Sequence, residues 1–417
     1  MSLLITDEAL LIVFDNLVSR QHVEWYCAGY DSWLARAPFV LAAVCHRWRD
    51  LARSSSSLWT YFGFSWNLDD SSLHLQRLQT LIALSKENPI DVVLHSTRQR
   101  GVNLSRLTLE YAELLQDILA LAPRWQNAVI NIHYSLFSFP KGTFFNGFWP
   151  QLKVLVVTVG SRIQHMPLCP RLSRLHLLCG GMDPQDASVS SQLPSLMNLT
   201  IFGDGRHGIH TFFKSVSLHL TDLCIFDNLK EEPRSPMVFA HLRSLTLDDP
   251  SYLNHIKAPD LHRLAIRASR LNDPIVLSDL SQFSSVRHLT LYGGIRRFML
   301  PALRELVSVS RLSFDVPPEV LSFWPFEEYT IARDVFGELA VLDPPVWPLL
   351  ERIDFGKSAR FIADLDGLLK LVSLRDGNHD ITSQHAVVRI REVYWEEILL
   401  LPGVDAFRAR LDHLLSP

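Results

Sequence analysis

Residues 150–157 read Pro150-Gln151-Leu152-Lys153-Val154-Leu155-Val156-Val157, and the pattern Leu152-x-x-Leu155-x-Val157 inside them returns along the chain. It recurs as Leu172-x-x-Leu175-x-Leu177, Leu196-x-x-Leu199-x-Ile201, Leu220-x-x-Leu223-x-Ile225 and Leu242-x-x-Leu245-x-Leu247. Leu261-x-x-Leu264-x-Ile266, Val286-x-x-Leu289-x-Leu291 and Val309-x-x-Leu312-x-Phe314 continue it, and Leu350-x-x-Ile353-x-Phe355 is a later copy. The second and third apolar positions lie two residues apart, so both point to one side of a short strand. The first enters the same core from the bend before the strand. A unit this small cannot bury its own apolar face, so neighbours must stack.

From Leu152 to Val309 the copies start 19 to 25 residues apart, and a proline stands two residues before the motif at Pro150, Pro170, Pro194 and Pro259. The period resembles that of leucine-rich repeats, about 20–29 residues. The resemblance implies an α/β solenoid in which short parallel strands form a curved sheet, with helices or loops on its convex side. The asparagine common in regular repeats of that family is missing, so the expected stack is irregular. The stretch from Phe314 to Leu350 leaves room for one degenerate unit near 328–332 or for an insertion.

Upstream of the repeats, 73–86 and 104–121 have helical spacing, and 90–94 and 128–132 read as strands. Downstream, 361–374 reads as a helix, 387–393 as a strand, and 404–415 as an amphipathic helix that caps the open end of the stack.

The N-terminus has a different grammar. Thr6 is a helix N-cap, with Asp7 and Glu8 in the first turn and an apolar stripe of Leu10, Leu11, Phe14, Leu17 and Val18. Leu41, Val44, Cys45, Trp48, Leu51 and Ala52 recur at three- and four-residue steps, as on one stripe of a single helix. Ser54 to Ser57 end it, and Leu58 and Trp59 follow. The run Val44-Cys45-His46-Arg47-Trp48-Arg49-Asp50-Leu51-Ala52, then Ser57-Leu58-Trp59, resembles the second half of an F-box. The resemblance covers about 4–60. It departs from the family at Ile5-Thr6, where Leu-Pro is usual, and in a long connection, read as an insertion at 18–38 that carries Trp25, Tyr26, Tyr30 and Trp33.

The expected organisation is therefore a helical F-box-like module over 1–65 and a leucine-rich-repeat-like α/β solenoid over 66–417. F-box proteins with leucine-rich repeats are substrate receptors of SCF-type cullin–RING ubiquitin ligases. The resemblance implies that Leu10, Leu11, Phe14, Leu17, Val44, Cys45, Trp48 and Leu51 bind a Skp-type adaptor and through it a cullin. Leu58 and Trp59 would join module to arc, and the arc would hold a protein substrate. On this reading the chain is not an enzyme: ubiquitin transfer belongs to other subunits. Two other classes stay open, a non-enzymatic repeat scaffold without a ligase role and a nucleotide-dependent enzyme.

The third class rests on Gly203-Asp204-Gly205-Arg206-His207-Gly208, which fits a dinucleotide fingerprint after a strand. Turn glycines between repeats explain the same residues, so no cofactor is expected. His207 and His210 have no recognisable third ligand, so no metal is expected. His133, His165 and His176 read as surface or strand residues, and no hydrolase, kinase or metalloprotease motif occurs. Net charge is −4 with no long basic run, which argues against nucleic acid as the main partner. The five cysteines are scattered, as in a reducing compartment, and no stretch reads as a leader or membrane span. A cytoplasmic or nuclear location is expected. Aromatic clusters at 144–149 and 323–326 either pack over the stack or anchor a partner.

Overall fold

The computed structural model describes residues 5–18, 31–66, 71–96, 114–131, 147–159, 166–179, 192–202, 209–226, 236–267, 280–292, 303–314, 330–331, 335–341, 346–355, 361–362, 365–375, 390–395 and 404–415. The chain divides into two compact units, Met1–Val216 with Leu229–Glu231, and Ser217–Asn228 with Glu232–Pro417.

The first unit opens with three helices, α1 (Asp7–Val18), α2 (Ser32–Val44) and α3 (His46–Ser54). Thr6 caps α1 as expected: Ala9 N donates to Thr6 Oγ1 at 3.3 Å. The single helix expected across 41–52 is instead two. Cys45 is extended, with φ −158° and ψ 174°, and breaks the helical ladder between Val44 and His46. Of the connection expected at 18–38, residues 31–38 are the cap and first half of α2, and 19–30 lie outside the described residues. Asp31 Oδ1 accepts from Trp33 N at 2.9 Å and Leu34 N at 3.1 Å. The helix continues through Pro38, whose missing N–H reads in sequence as a helix boundary.

A turn of 3-10 helix, Ser56–Trp59, buries Leu58 and Trp59. Six parallel strands follow: β1 (Tyr61–Trp66), β2 (Ile90–Ser96), β3 (Trp125–Asn131), β4 (Val154–Val159), β5 (Arg174–Cys179) and β6 (Asn198–Phe202). Each of these pairs with the next in sequence. α4 (Ser71–Ser85) and a helical run at 114–120 connect the early strands.

In the second unit the strand order is β7 (Asp222–Phe226), β9 (Ser244–Leu247), β11 (Arg263–Arg267), β12 (His288–Tyr292), β13 (Arg311–Phe314), β15 (Arg352–Phe355) and β17 (Glu392–Trp395). Two short ladders flank it, β8 (Met237–Val238) with β10 (Ile256–Lys257) and β14 (Thr330–Ile331) with β16 (Phe361–Ile362). β13 pairs directly with β15, so the 314–350 stretch contributes no strand between them. Thr330 and Ile331 belong to a side ladder rather than to a degenerate repeat. The final helix is Val404–Leu415 as expected, and the preceding one, Leu365–Leu374, begins after β16.

The register explains the motif. Leu155, Leu175 and Leu199 are Cα partners across β4, β5 and β6, and Leu245, Leu264, Leu289, Leu312 and Ile353 align across β9 to β15. Val157, Leu177 and Ile201 form a second buried row two residues on, and every motif position from Leu152 to Phe355 is buried. Each unit is thus a leucine-rich-repeat-like stack, in which the leucine of one strand packs on that of the next. Aromatic residues complete the later layers: Phe314 stacks on Phe355 at 5.2 Å, and Phe336 meets both edge-on.

Candidate functional site

Two surfaces are candidates for partner contact: the N-terminal helices and the outward face of the repeat strands. In the helical module, Leu10 and Phe14 of α1 turn inward, and the Phe14 ring meets Trp48 of α3 edge-on at 4.9 Å. Arg47 ties α3 to the start of α1 through Asp7 Oδ1 at 2.6 Å and Ile5 O at 2.6 Å. Trp59 Nε1 donates to Ala52 O at 2.7 Å, which anchors the end of α3 to the 3-10 turn.

This packing divides the proposed adaptor residues. Leu10 and Phe14 are interior, while Leu11, Trp48 and Leu51 are half-buried at the module's edge. Leu17, Val44 and Cys45 are exposed. Trp33, Val40 and Val44 are 51%, 45% and 57% exposed, and their spacing puts them on one stripe of α2. Ile12 and Val13 of α1 are exposed as well. Sequence spacing places Trp33 in a connection and Val40 ahead of the apolar stripe. The signal for both was the 3.6-residue period running back through Pro38.

The opposite side of α2 has a different neighbour. Leu34 and Ala35 form one buried cluster with Tyr61, Val93, Val129, Val154 and Val156. Those residues of β1 to β4 alternate with the motif leucines, so they lie on the outward face of the sheet. Asp31 N donates to the Tyr61 hydroxyl at 3.4 Å, and Arg77 of α4 donates to Ala35 O. Gly63 permits this arrangement: a Cβ there would come within 2.5 Å of the Tyr61 ring. An open cleft of about 840 Å³ lies between α2, α3 and α4, lined by Phe39, Arg49, Arg53, Trp59, Gln76 and Thr80 among others.

Within the first unit the outward face continues through His176 and Thr200, each 3% exposed. Burial holds the His176 imidazole well below its ordinary range, at about 3, with Arg174 adding repulsion. In the second unit the outward row is polar. Arg263, His288, Arg311 and Arg352 are Cα partners on consecutive strands. Arg352 Nε donates to Asp354 at 2.7 Å, Arg311 reaches the same carboxylate, and Arg352 also meets Glu392 at 2.8 Å. Burial and the neighbouring Arg311 push His288 down to about 4.

Of the other residues singled out by sequence, 203–208, including His207, lie outside the described residues, as do His133, His165, Phe144, Phe145 and 323–326. His210 lies in the helix Ile209–Val216. Phe148 is exposed, and Trp149 is buried 5.0 Å from the ring of Trp125, so that aromatic cluster is at least partly core. Cys169 is a buried thiol whose pKa is pushed up to about 12 by burial. Among the described residues no group of three His, Cys, Asp or Glu could hold a metal ion, and no helix is long and apolar enough to cross a membrane.

No protein-family model matches the chain, and no curated protein matches it. Among solved structures it is similar to the crystal structure of the TLR13–ssRNA13 complex, with a TM-score of 0.40 and 14% identity. The match covers 73% of this chain and 38% of that one. A likeness of that size carries no argument. The class rests on the chain's own geometry: an α/β protein of leucine-rich-repeat-like units, with parallel strands in register and the motif rows inside.

Proposed function

We propose that this chain is a substrate receptor of an SCF-type cullin–RING ubiquitin ligase: its N-terminal helices dock a Skp-type adaptor, and its repeat strands hold a target protein. It contributes binding and geometry, and the chemistry belongs to its partners. The observation that carries this reading is the exposed apolar stripe Trp33, Val40 and Val44, beside Cys45 and the F-box-like run Val44 to Trp59. Large apolar side chains grouped in water mark interaction surfaces. Burying one of them on a partner is worth roughly 1.5–3 kcal/mol.

The test is direct binding of purified chain to purified adaptor, with Val40→Asp/Val44→Asp as the interface variant. The reading expects binding by the wild type and loss in the variant, with an unchanged melt. Wild-type protein that is monodisperse yet does not bind removes the ligase role.

A second reading has its own observation. Leu34 and Ala35 cover the outward face of the first strands, as a cap would. On that reading the helices close the sheet, and the protein is an interaction scaffold without an adaptor.

A further inference from the structure

The outward face of the second unit carries a concentration of positive charge that the adaptor reading does not use. Each motif copy there has two residues between its first and second apolar positions, and the second of them points outward. Across β9, β11, β12 and β13 these eight positions hold Arg243, Arg263, Arg287 and Arg311, with His262, His288, Ser244 and Ser310, and no carboxylate. The whole chain, by contrast, has a net charge of −4.

The arrangement is fixed by the sheet. Arg263, His288 and Arg311 are register partners, so their Cα atoms repeat at the strand spacing of about 4.8 Å. Arg243, His262 and Arg287 are exposed at the entries of the same strands. Arg267, at the far end of β11, is already paired with buried Asp248 at 3.1 Å.

Asp222 and Asp354 flank the row, beside Asp248, which holds Arg267. Asp222 on β7 is 3.7 Å from Arg263, whose side chain is nevertheless 62% exposed. On the other side Asp354, 7% exposed, receives both Arg311 and Arg352, and Arg311 stays 45% exposed. Asp354 therefore steers the Arg311 and Arg352 guanidinium groups without covering them. His288, between Arg263 and Arg311, has an enclosed Nε2 with no hydrogen-bond partner among the described residues.

We propose that the outward face of β9 to β13 binds a carboxylate-rich segment of a partner protein, with Arg263 and Arg311 as its central contacts and Arg243 and Arg287 at its entry edge. This deepens the target-holding half of the proposed function and rests on it. Arginine suits the task because its planar fork meets a carboxylate through two parallel N–H groups. Polyanions in general are drawn to such a row, so the test separates peptide from nucleic acid.

The probe is a fluorescein-labelled peptide of alternating Glu and Gly, read by anisotropy with the full chain at about 50 mM salt, where screening is weak. A Gln-for-Glu peptide and a short oligothymidylate of equal length are the comparison ligands. The wild type binds the Glu peptide, and binds both comparison ligands more weakly. Arg263→Gln/Arg311→Gln weakens Glu-peptide binding about ten-fold or more, as expected for losing two such contacts. Arg410→Gln, an exposed arginine of the C-terminal helix, leaves it unchanged. If the double variant melts early, Arg263→Gln alone carries the test, because that side chain is the more exposed.

Absence of Glu-peptide binding by the wild type overturns the proposal, as does equal loss in Arg410→Gln. Tighter binding of the oligothymidylate, lost in the same double variant, overturns it in favour of a nucleic-acid surface. Adaptor binding measured on the same samples keeps the two claims apart. Failure of the acidic peptide alone removes the row, and failure of the adaptor alone removes the ligase role.

Discussion

Leu264→Ala is the substitution that tests the repeat register most sharply. Leu264 sits on β11 with 1% of its surface exposed, between register partners Leu245 and Leu289, which are buried too. Truncation removes about three methylene equivalents, or about 2.4 kcal/mol of transfer free energy. A cavity term adds to this, because the ladder bonds on both sides stop the strands from closing over the void. The expected cost is about 2–5 kcal/mol, in the upper half if the neighbours hold their places. For a unit of this size that lowers the melting temperature by roughly 4–20 °C.

The adjacent Arg263→Ala is the internal control. Its side chain is 62% exposed and its ion pair with Asp222 is long, at 3.7 Å. Exposed pairs contribute about 0–1 kcal/mol, so its denaturation midpoint should barely move. Because strand side chains alternate, a register one residue off would exchange the two outcomes. Urea unfolding followed by circular dichroism reads both. A Leu264→Ala cost below about 1 kcal/mol beside a larger Arg263→Ala cost would refute the assignment of faces.

Trp59→Phe should destabilise by about 1–3 kcal/mol, since Ala52 O loses its buried donor, and thermal melts check it. Trp48→Ala should lower stability as well as adaptor binding, because Trp48 packs on Phe14; a melt identical to the wild type would contradict that packing. His176 has a folded-state pKa of about 3 against an ordinary 6.5, so the unfolded chain takes up its proton first on acidification. Stability from this group is therefore complete above about pH 6.5 and declines as pH falls toward 3, by up to about 1.4 kcal/mol per pH unit. His176→Gln should flatten that part of the stability profile, measured as urea midpoints between pH 7 and 4. Gly63→Val should push the Tyr61 ring off its site and loosen α2 from the sheet, read as faster amide exchange at Leu34 and Ala35.

The repeats were legible because their signal is local and redundant. Two inward residues per strand and one in the bend recur nine times, from Leu152 to Phe355, so one irregular copy cannot hide the rest. β1 is not legible in the sequence, although Phe62 and Phe64 alternate, because its partner β2 lies across α4 and the motif leucine is absent. In the helical module the spacing of 41–52 suited one helix, and nothing local announces the extended backbone at Cys45. Pro38 misleads in the other direction, because a proline ordinarily marks a helix boundary and α2 runs on through it. The outward basic row is a property of register: Arg263, His288 and Arg311 are over twenty residues apart in sequence and meet only through the sheet. The contact of Leu34 and Ala35 with β1 to β4 is likewise tertiary, and no periodicity could report it.

The central functional claim is tested most directly by isothermal titration of the 417-residue chain with a purified Skp-type adaptor. The account predicts a saturable one-to-one isotherm at micromolar or lower concentration for the wild type, and none for Val40→Asp/Val44→Asp at an unchanged melting temperature. A flat isotherm from folded, monodisperse wild-type protein, or equal binding by the double variant, would contradict it.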